Sequence, residues 1–216
     1  NTKMKNLDEN KFGKFLYKSK FEKIFCNVFD KLKIQYKTPA RISNFIIDFL
    51  LVDLNFYIQI DGIFYHGLDK NFNIVKDKAK NNSGLYNAVY EKFLRDRKLD
   101  KYCIENDIKL CRLTDLELKS FMSCINSENC WKNLNDQDAT TNLETESVKA
   151  LKNLDISQSA AELLKKNFNG EGSEIIEITN ITKYLGESRV EFLDFLSNKF
   201  EALSTVNNCE DMIQTI

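Results

Sequence analysis

The sequence is poor in residues that mark turns and metal sites: its 216 residues include one proline, seven glycines and one histidine. Its six cysteines include no pair separated by two residues, and a single histidine does not complete a zinc site of the usual kind. We therefore expect free thiols in a reducing cytosol. The abundance of Asn, Lys and Ile beside so little Pro and Gly suggests an AT-rich coding source, so the expected setting is the cytoplasm of a bacterial or phage-infected cell. No apolar run approaches the roughly 18 residues of a membrane span, so no contact with a membrane is predicted.

Charge is distributed unevenly, although the formal net charge is only −1. Residues 138–216 carry 14 Asp and Glu against 7 Lys and Arg, whereas residues 1–137 carry 18 acids against 24 bases. This asymmetry predicts that only the first part meets a polyanion such as DNA. The alternative is that charge varies along the chain without functional meaning.

A polar, turn-rich stretch at Asn135–Thr145 predicts a boundary between two domains. We expect a larger α/β domain over residues 1–137 and a small, acidic, mainly helical accessory or interaction domain over residues 138–216. The second domain shows no catalytic group, so a protein partner or a second copy of the chain is its expected contact. Its expected elements are three helices and one strand, at Glu146–Leu154, Ser157–Asn167, Glu187–Leu203 and, for the strand, Glu174–Ile178.

The most informative stretch reads FIIDFLLVDLNFYIQIDGIFYHG, at residues 45–67. Two β-branched and aromatic runs meet at a short polar break, which predicts a β-hairpin. Asp48, Gln59 and Asp61 lie inside these runs, and His66 follows the second run. Period-two alternation makes both faces of the first run apolar, so we expect a covered strand with Asp48 buried or lining a cleft. Acids in such positions need a partner, and a metal ion is the obvious candidate.

Helical spacing of apolar residues predicts two helices that bring further acids toward the core. The first, Lys14–Lys33, carries Glu22 at the margin of its apolar face, and a glutamate that only reaches water is the alternative. The second, Tyr86–Asn106, carries Asp96 on its inward face, with both flanking arginines directed elsewhere.

Two further elements complete the expected first domain, a strand at Ile108–Leu113 and a helix at Leu116–Leu134. The polar stretch Leu68–Leu85 is expected to be a long exposed loop or an irregular helix. The order helix, hairpin, helix, strand, helix predicts an α/β fold with a mixed central sheet flanked by helices.

Glu22, Asp48, Asp61, His66 and Asp96 come from separate elements, and each is expected on or beside an inward face. Two strand carboxylates can hold Mg²⁺ together with phosphate and water oxygens. A nearby histidine can transfer a proton or stabilise a scissile phosphate. These residues favour phosphodiester hydrolysis, and structural acids satisfied within the fold are the alternative.

Two other groups are candidates for contact with a nucleic acid. The lysines of Leu68–Leu85 either contact phosphates or are only solvated. Phe64 and Tyr65 either stack on bases or belong to the core.

The motifs I-D-F and, after a short spacer, I-D-G-I-F-Y-H-G resemble those of the very-short-patch repair endonucleases. They also resemble those of related PD-(D/E)XK nucleases, including the EDxHD-type homing endonucleases. The resemblance extends to S-K-F-E, R-D-R-K-L and D-I-K-L-C-R-L, and it covers about residues 15–120. It implies a restriction-endonuclease-like PD-(D/E)XK core, to which this chain adds a small, mostly helical C-terminal region.

The resemblance implies metal binding by the carboxylates of Asp48 and Asp61, with the main-chain carbonyl of Ile60 completing the site. The implied ion is Mg²⁺, for which Mn²⁺ can substitute. This chain departs from many relatives at Gln59, where they have glutamate. An amide binds Mg²⁺ less strongly, so Gln59 suggests a weakened or different metal site.

The resemblance also implies that His66 acts at the scissile phosphate, that Asp96 orients it, and that Glu22 is the glutamate of the first helix. The implied activity is a DNA endonuclease of homing or repair type, encoded by a phage or mobile element, which nicks or cuts both strands. The histidines of the repair branch's structural zinc site are missing, so mismatch repair is not implied. A nucleic-acid-binding module without hydrolysis and an RNA-directed nuclease are the alternatives.

Overall fold

A computed structural model describes residues 19–69, 72–81, 84–119, 150–151, 154–167 and 172–213. The predicted boundary at Asn135–Thr145 and most of the helices predicted at Leu116–Leu134 and Glu146–Leu154 lie outside these ranges. The strands are β1 Tyr36–Lys37, β2 Ala40–Ile42, β3 Phe45–Ile47, β4 Phe49–Leu51, β5 Phe56–Asp61 and β6 Lys109–Thr114. The helices are α1 Lys20–Lys31, α2 Phe72–Lys80, α3 Gly84–Glu105, α4 Ala160–Asn167 and α5 Ser173–Ile213, with a 3₁₀ turn at Ile156–Gln158.

A four-stranded sheet in the order β1-β4-β5-β6 forms the centre of the fold. β4 is antiparallel to both β1 and β5, whereas β5 and β6 run parallel. Strands β2 and β3 form a separate antiparallel pair. The prediction of an α/β fold with a mixed central sheet flanked by helices is therefore confirmed.

The predicted hairpin is present as β4 and β5, with Leu51 paired to Phe56 across the turn. The first apolar run is divided at Asp48, because β3 pairs with β2 while β4 pairs with β1 and β5. Ile46, in the separate pair, is 49% exposed, and Val52, in the turn that follows β4, is 39% exposed. The prediction that both faces of this run are covered is wrong at these two positions.

Helix α1 begins with a capping box, in which Ser19 and Glu22 each accept a hydrogen bond from the other's backbone N–H. Its buried residues, Phe25, Val28 and Phe29, recur at three- and four-residue spacing, as predicted. The stretch Leu68–Leu85 holds the helix α2, so it is helical rather than a loop.

The strand predicted at Glu174–Ile178 is wrong, because these residues open the 41-residue helix α5. Ile175 and Ile176, which suggested a strand, are both more than half exposed. The buried residues among the described side chains of α5 lie one, three or four positions apart along one helical face, so packing of that face outweighs the β propensity of two isoleucines. Those buried residues are Ile181, Leu185, Ser188, Arg189, Phe192, Leu196, Ser197 and Phe200.

The main core lies between α1, the sheet and α5. Phe192 of α5 stacks on Phe56 of β5 with ring centroids 6.1 Å apart, and it lies 6.3 Å from Phe25 of α1. Leu196 and Phe200 are fully buried in the same cluster. The second part of the chain thus contributes directly to the core under the central sheet. Among the described helices, none is long and apolar enough to cross a membrane.

Candidate active site

The predicted site residues meet where β5 ends and β4 begins. Asp48 immediately precedes β4, Asp61 is the last residue of β5, and His66 lies in the turn that follows. His66 contacts Asp61 and also Asp96, which projects from α3. The charges of Glu22, Asp61 and His66 all act on Asp48, so the structure brings the five predicted side chains into one electrostatic environment.

Asp48 is a half-buried carboxylate held against the neighbouring strand. Its Oδ2 accepts hydrogen bonds from the backbone N–H of Ile60 at 2.7 Å and from Nε2 of Gln59 at 3.0 Å. Burial raises the pKa of Asp48 from 3.8 to about 7; the Ile60 N–H opposes this rise, and the charges of Glu22 and Asp61 add to it. Asp48 therefore lies where negative charge is unfavourable and where a cation would be stabilising.

Glu22 reaches this environment from the first turn of α1. Its carboxylate accepts the backbone N–H of Ser19 at 2.9 Å, which makes it part of the helix cap. Its charge contributes to the raised pKa of Asp48. Glu22 thus caps a helix and adds negative potential to the site.

His66 is 6% exposed and lies between two carboxylates. Its Nδ1 is 2.7 Å from Oδ2 of Asp96 and 3.0 Å from Oδ1 of Asp61. Both neighbours are carboxylates, which only accept, so Nδ1 carries a proton and donates it to Asp96. Oδ1 of Asp61 is buried and receives no well-aligned N–H at its 3.0 Å distance, so its contact with His66 is chiefly one of charge.

Arg112 is the most important residue that the sequence analysis missed. It is 1% exposed, and its Nη1 donates to Oδ2 of Asp61 at 2.8 Å. Its Nε donates to Oδ1 of Asp100 at 2.6 Å, and its Nη2 lies 3.5 Å from Oδ1 of Asp96. The parallel register of β5 and β6 aligns Gln59 with Arg112, which places the guanidinium beside the end of β5.

Arg97 extends the same set of charges. It is buried and pairs with Asp100 through Nε at 2.9 Å and Nη2 at 2.6 Å, so the prediction that it is directed elsewhere is wrong. The reason is that Asp100, three residues further along α3, provides a buried partner. We call the connected side chains the His66 network, which comprises Asp61, His66, Asp96, Arg97, Asp100 and Arg112.

The His66 network contains three carboxylates, two guanidinium groups and one imidazole, so it is neutral when the imidazole is protonated. Burial alone lowers the pKa of His66, but Asp61 and Asp96 outweigh that effect and raise it to about 9. Burial favours protonation of Asp61, yet Arg112 and His66 hold the pKa of its carboxyl far below the usual range. The histidine is therefore a buried cation at neutral pH.

The predicted metal site depends on the oxygen atoms of Asp48, Ile60 and Asp61. Among the described residues, no group of three His, Cys, Asp or Glu side chains is arranged to hold an ion. The N–H of Ile60 binds Asp48, and the carbonyl of the same residue projects from the same side of an extended strand. Asp48 and Ile60 thus offer the two protein oxygens that suit Mg²⁺ when phosphate and water complete its shell. Asp61 is buried between Arg112 and His66, and its predicted metal contact stays a prediction.

Aromatic side chains border the turn that carries His66. Tyr65 is 63% exposed, so it does not belong to the core. Phe64 packs edge-on against Tyr65, with centroids 5.4 Å apart, and against Tyr86 at 6.4 Å. Nζ of Lys78 lies 4.8 Å from the centre of the Tyr86 ring. A basic and aromatic surface therefore adjoins the site.

Comparisons of the chain with protein-family models, curated proteins and solved structures give no match. The class that the structure itself defines is an α/β fold with a mixed sheet and a cluster of buried charges at one strand end. A function for this chain accordingly rests on the geometry of that cluster and on the motifs quoted above.

Proposed function

We propose that this protein is a divalent-metal-dependent DNA endonuclease with a core of the PD-(D/E)XK type. The observation that carries the proposal is the environment of Asp48. Its carboxylate is half-buried among other negative charges, beside a histidine that buried carboxylates hold as a cation. Strongly perturbed acids and bases gathered at a strand end are typical of catalytic sites.

Asp48 and the carbonyl of Ile60 would hold Mg²⁺ or Mn²⁺. A bound ion supplies Lewis-acid stabilisation of phosphate charge and lowers the pKa of water to make a nucleophile. His66 would act on the same phosphate. Because its Nδ1 is committed to Asp96, its Nε2 is the nitrogen that donates a proton to the phosphate or leaving oxygen. Asp61 and Asp96 keep the ring oriented and charged.

The surface beside the turn supports a nucleic acid as the substrate. Tyr65 is exposed and Phe64 packs on it in the turn that also carries His66, and Lys78 beside Tyr86 adds positive charge. Stacking of bases on aromatic side chains contributes about 1–3 kcal/mol for each base. Such contacts would hold a strand while its phosphate lies at His66.

Gln59 favours a second candidate, a nucleic-acid-binding module without hydrolysis. Its amide nitrogen donates to Asp48. A relative with glutamate at this position would place a second carboxylate there instead, and carboxylates bind Mg²⁺ more strongly than amides do. The two candidates differ in one observable, which is metal-dependent cleavage.

The deciding experiment is cleavage of supercoiled plasmid with Mg²⁺ or Mn²⁺ by the wild type, Asp48→Asn and Asp53→Asn. Asp53 is the matched control, because it is an exposed carboxylate in the turn between β4 and β5. We expect nicking by the wild type and by Asp53→Asn, and its loss in Asp48→Asn and in EDTA. The nicked-to-linear ratio would define the cutting mode.

Binding without cleavage of plasmid, single-stranded DNA or RNA would favour the second candidate. Cleavage of RNA alone would replace DNA by RNA as the substrate. Equal activity of Asp48→Asn and the wild type would refute the role of Asp48.

A further inference from the structure

We infer that Arg112 is a positioning residue that determines which of two carboxylates accepts the proton of His66 Nδ1. This inference rests on the proposed function, in which His66 contacts the scissile phosphate. Arg112 itself is 1% exposed and lies behind the carboxylates of Asp61 and Asp96.

Asp61 and Asp96 compete for a single proton on His66. Nδ1 of His66 has one N–H, yet Asp96 lies at 2.7 Å and Asp61 at 3.0 Å. The shorter and better aligned contact is with Asp96, and Oδ1 of Asp61, although buried, receives no well-aligned donor. A buried carboxylate oxygen in that state would accept any donor within reach. Something must therefore keep Asp61 from taking the proton.

Arg112 provides that restraint. Its Nη1 holds the other oxygen of Asp61 at 2.8 Å, which fixes the plane of the carboxylate. Its Nη2 donates to the backbone carbonyl of Asp96 at 3.4 Å and lies 3.5 Å from the Asp96 side chain. One planar guanidinium thus sets the spacing between the two carboxylates that face His66.

The guanidinium is itself fixed from behind. Asp100 accepts Nε of Arg112 at 2.6 Å and, through its other oxygen, pairs with Arg97. Among the described residues, Asp100 contacts Arg112 and Arg97 but not His66. A change at Asp100 therefore reaches the histidine chiefly through the position of Arg112.

The test compares Arg112→Lys with Arg189→Lys. Arg189 is an equivalent control, because it is also buried and its Nε donates to Glu117 at 2.6 Å, outside the His66 network. The first readout is the long-range ¹H–¹⁵N spectrum of the imidazole at one fixed pH in EDTA. His66 is the only histidine, so its ring signals need no assignment. The second readout is plasmid nicking.

We expect Arg112→Lys to move the Nδ1 signal, because Asp61 is released and competes for the proton. We expect its kcat for nicking to fall about 10- to 100-fold, the usual effect of removing an outer partner, with KM little changed. Arg189→Lys should leave both readouts at wild-type values. Asp100→Asn should move the same ring signal in the same direction by a smaller amount. This variant replaces Arg112→Lys in the test if Arg112→Lys does not fold.

An unchanged ring spectrum in both Arg112→Lys and Asp100→Asn would overturn the inference, as would equal shifts in Arg112→Lys and Arg189→Lys. If the wild type cleaves no nucleic acid, the proposed function fails, yet the ring spectrum still decides the role of Arg112. The two failures are therefore distinguishable.

Discussion

Arg112 and Arg189 are both buried guanidinium groups near the end of β6, but their surroundings differ. Arg112 lies among three carboxylates, and one of them, Asp61, also contacts His66. Among the described residues, Arg189 of α5 has one carboxylate partner, Glu117, which also accepts the backbone N–H of Thr114. The first arrangement concentrates charge around a titrating group, whereas the second joins the C-terminal helix to the sheet.

Under the proposed function, this difference separates functional from structural use of buried charge. In several proteins a single buried ion pair can be replaced by apolar residues without loss of stability. Buried charges are therefore not required to stabilise a fold. Five charged side chains around one imidazole are a costly way to stabilise a fold. They do, however, hold a histidine in one orientation and one charge state, which catalysis at a phosphate requires.

The largest effect is expected when each arginine is replaced by methionine. Arg112→Met leaves Asp61, Asp96 and Asp100 without their shared cation, so the free energy of unfolding should fall by about 3–5 kcal/mol or more. Arg189→Met leaves only Glu117, and we expect a loss of about 2 kcal/mol. Urea denaturation at pH 8 measures both losses.

Glu117 sharpens the same comparison through pH. Burial raises its pKa above 4.5 even though Arg189 and Thr114 oppose the rise. A folded-state pKa above the unfolded value means that protonation favours the fold, so the loss in Arg189→Met should shrink at pH 5. The contrast between the two arginines would be wrong if Arg112→Met and Arg189→Met lost the same free energy of unfolding at pH 8. It would also be wrong if the loss in Arg189→Met did not depend on pH.

Asp48 provides the second prediction, a stabilising one. Its pKa is raised from 3.8 to about 7, so the unfolded chain ionises at lower pH than the folded chain. Stability should therefore fall as pH rises from 4 to 7 and stay low above 7, by at most on the order of 4 kcal/mol. Asp48→Asn removes this penalty and should raise the melting temperature at pH 8 in EDTA.

Metal addition completes that prediction. Mg²⁺ should raise the melting temperature of the wild type but not of Asp48→Asn, since the ion stabilises only a charged ligand. Asp53→Asn should behave as the wild type does. A lower melting temperature for Asp48→Asn in EDTA would show that Asp48 serves the fold rather than the site.

His66 gives the third prediction. Its pKa is about 9 in the folded chain against 6.5 in the unfolded chain, so its contribution is complete below pH 6.5 and is lost as pH rises through 9. The contribution is on the order of 3 kcal/mol. Titration of the imidazole C–H signals by NMR measures the pKa directly, and Asp96→Asn should lower it. A wild-type value near 6.5 would contradict the buried cation.

Much of the site could be predicted from local spacing. Asp48, Asp61 and His66 lie within one hairpin and its following turn, and Asp96 follows from helical periodicity. Arg112 could not be predicted in this way, because its partners depend on the parallel register of β5 with β6, some fifty residues apart in the chain. The available signal was an arginine inside the short apolar strand of residues 108–113, since such a residue needs buried carboxylates.

In the fold, too, elements set by nearby residues could be predicted, whereas those set by contacts distant in the chain could not. The hairpin and α3 follow from periodicities of two and 3.6 residues. Ile175 and Ile176 suggested a strand, because nothing in their immediate neighbourhood shows that α5 continues through Phe192 and packs on β5. The role of α5 in the core is set by contacts across the whole chain.

The smallest expected effect concerns Tyr184 of α5, which contacts the outer edge of β6. Its hydroxyl accepts the backbone N–H of Leu110 at 2.8 Å and donates to the carbonyl of Ile108. Tyr184→Phe leaves both groups without this partner, so we expect a loss of about 1–2 kcal/mol in the free energy of unfolding. Because β6 also carries Arg112, the imidazole spectrum tests whether the edge contact is independent of the site. An unchanged spectrum with reduced stability would show that α5 has a structural role only. A shifted His66 signal would show that contacts from α5 also position the histidine, and the contrast between Arg112 and Arg189 would then no longer hold.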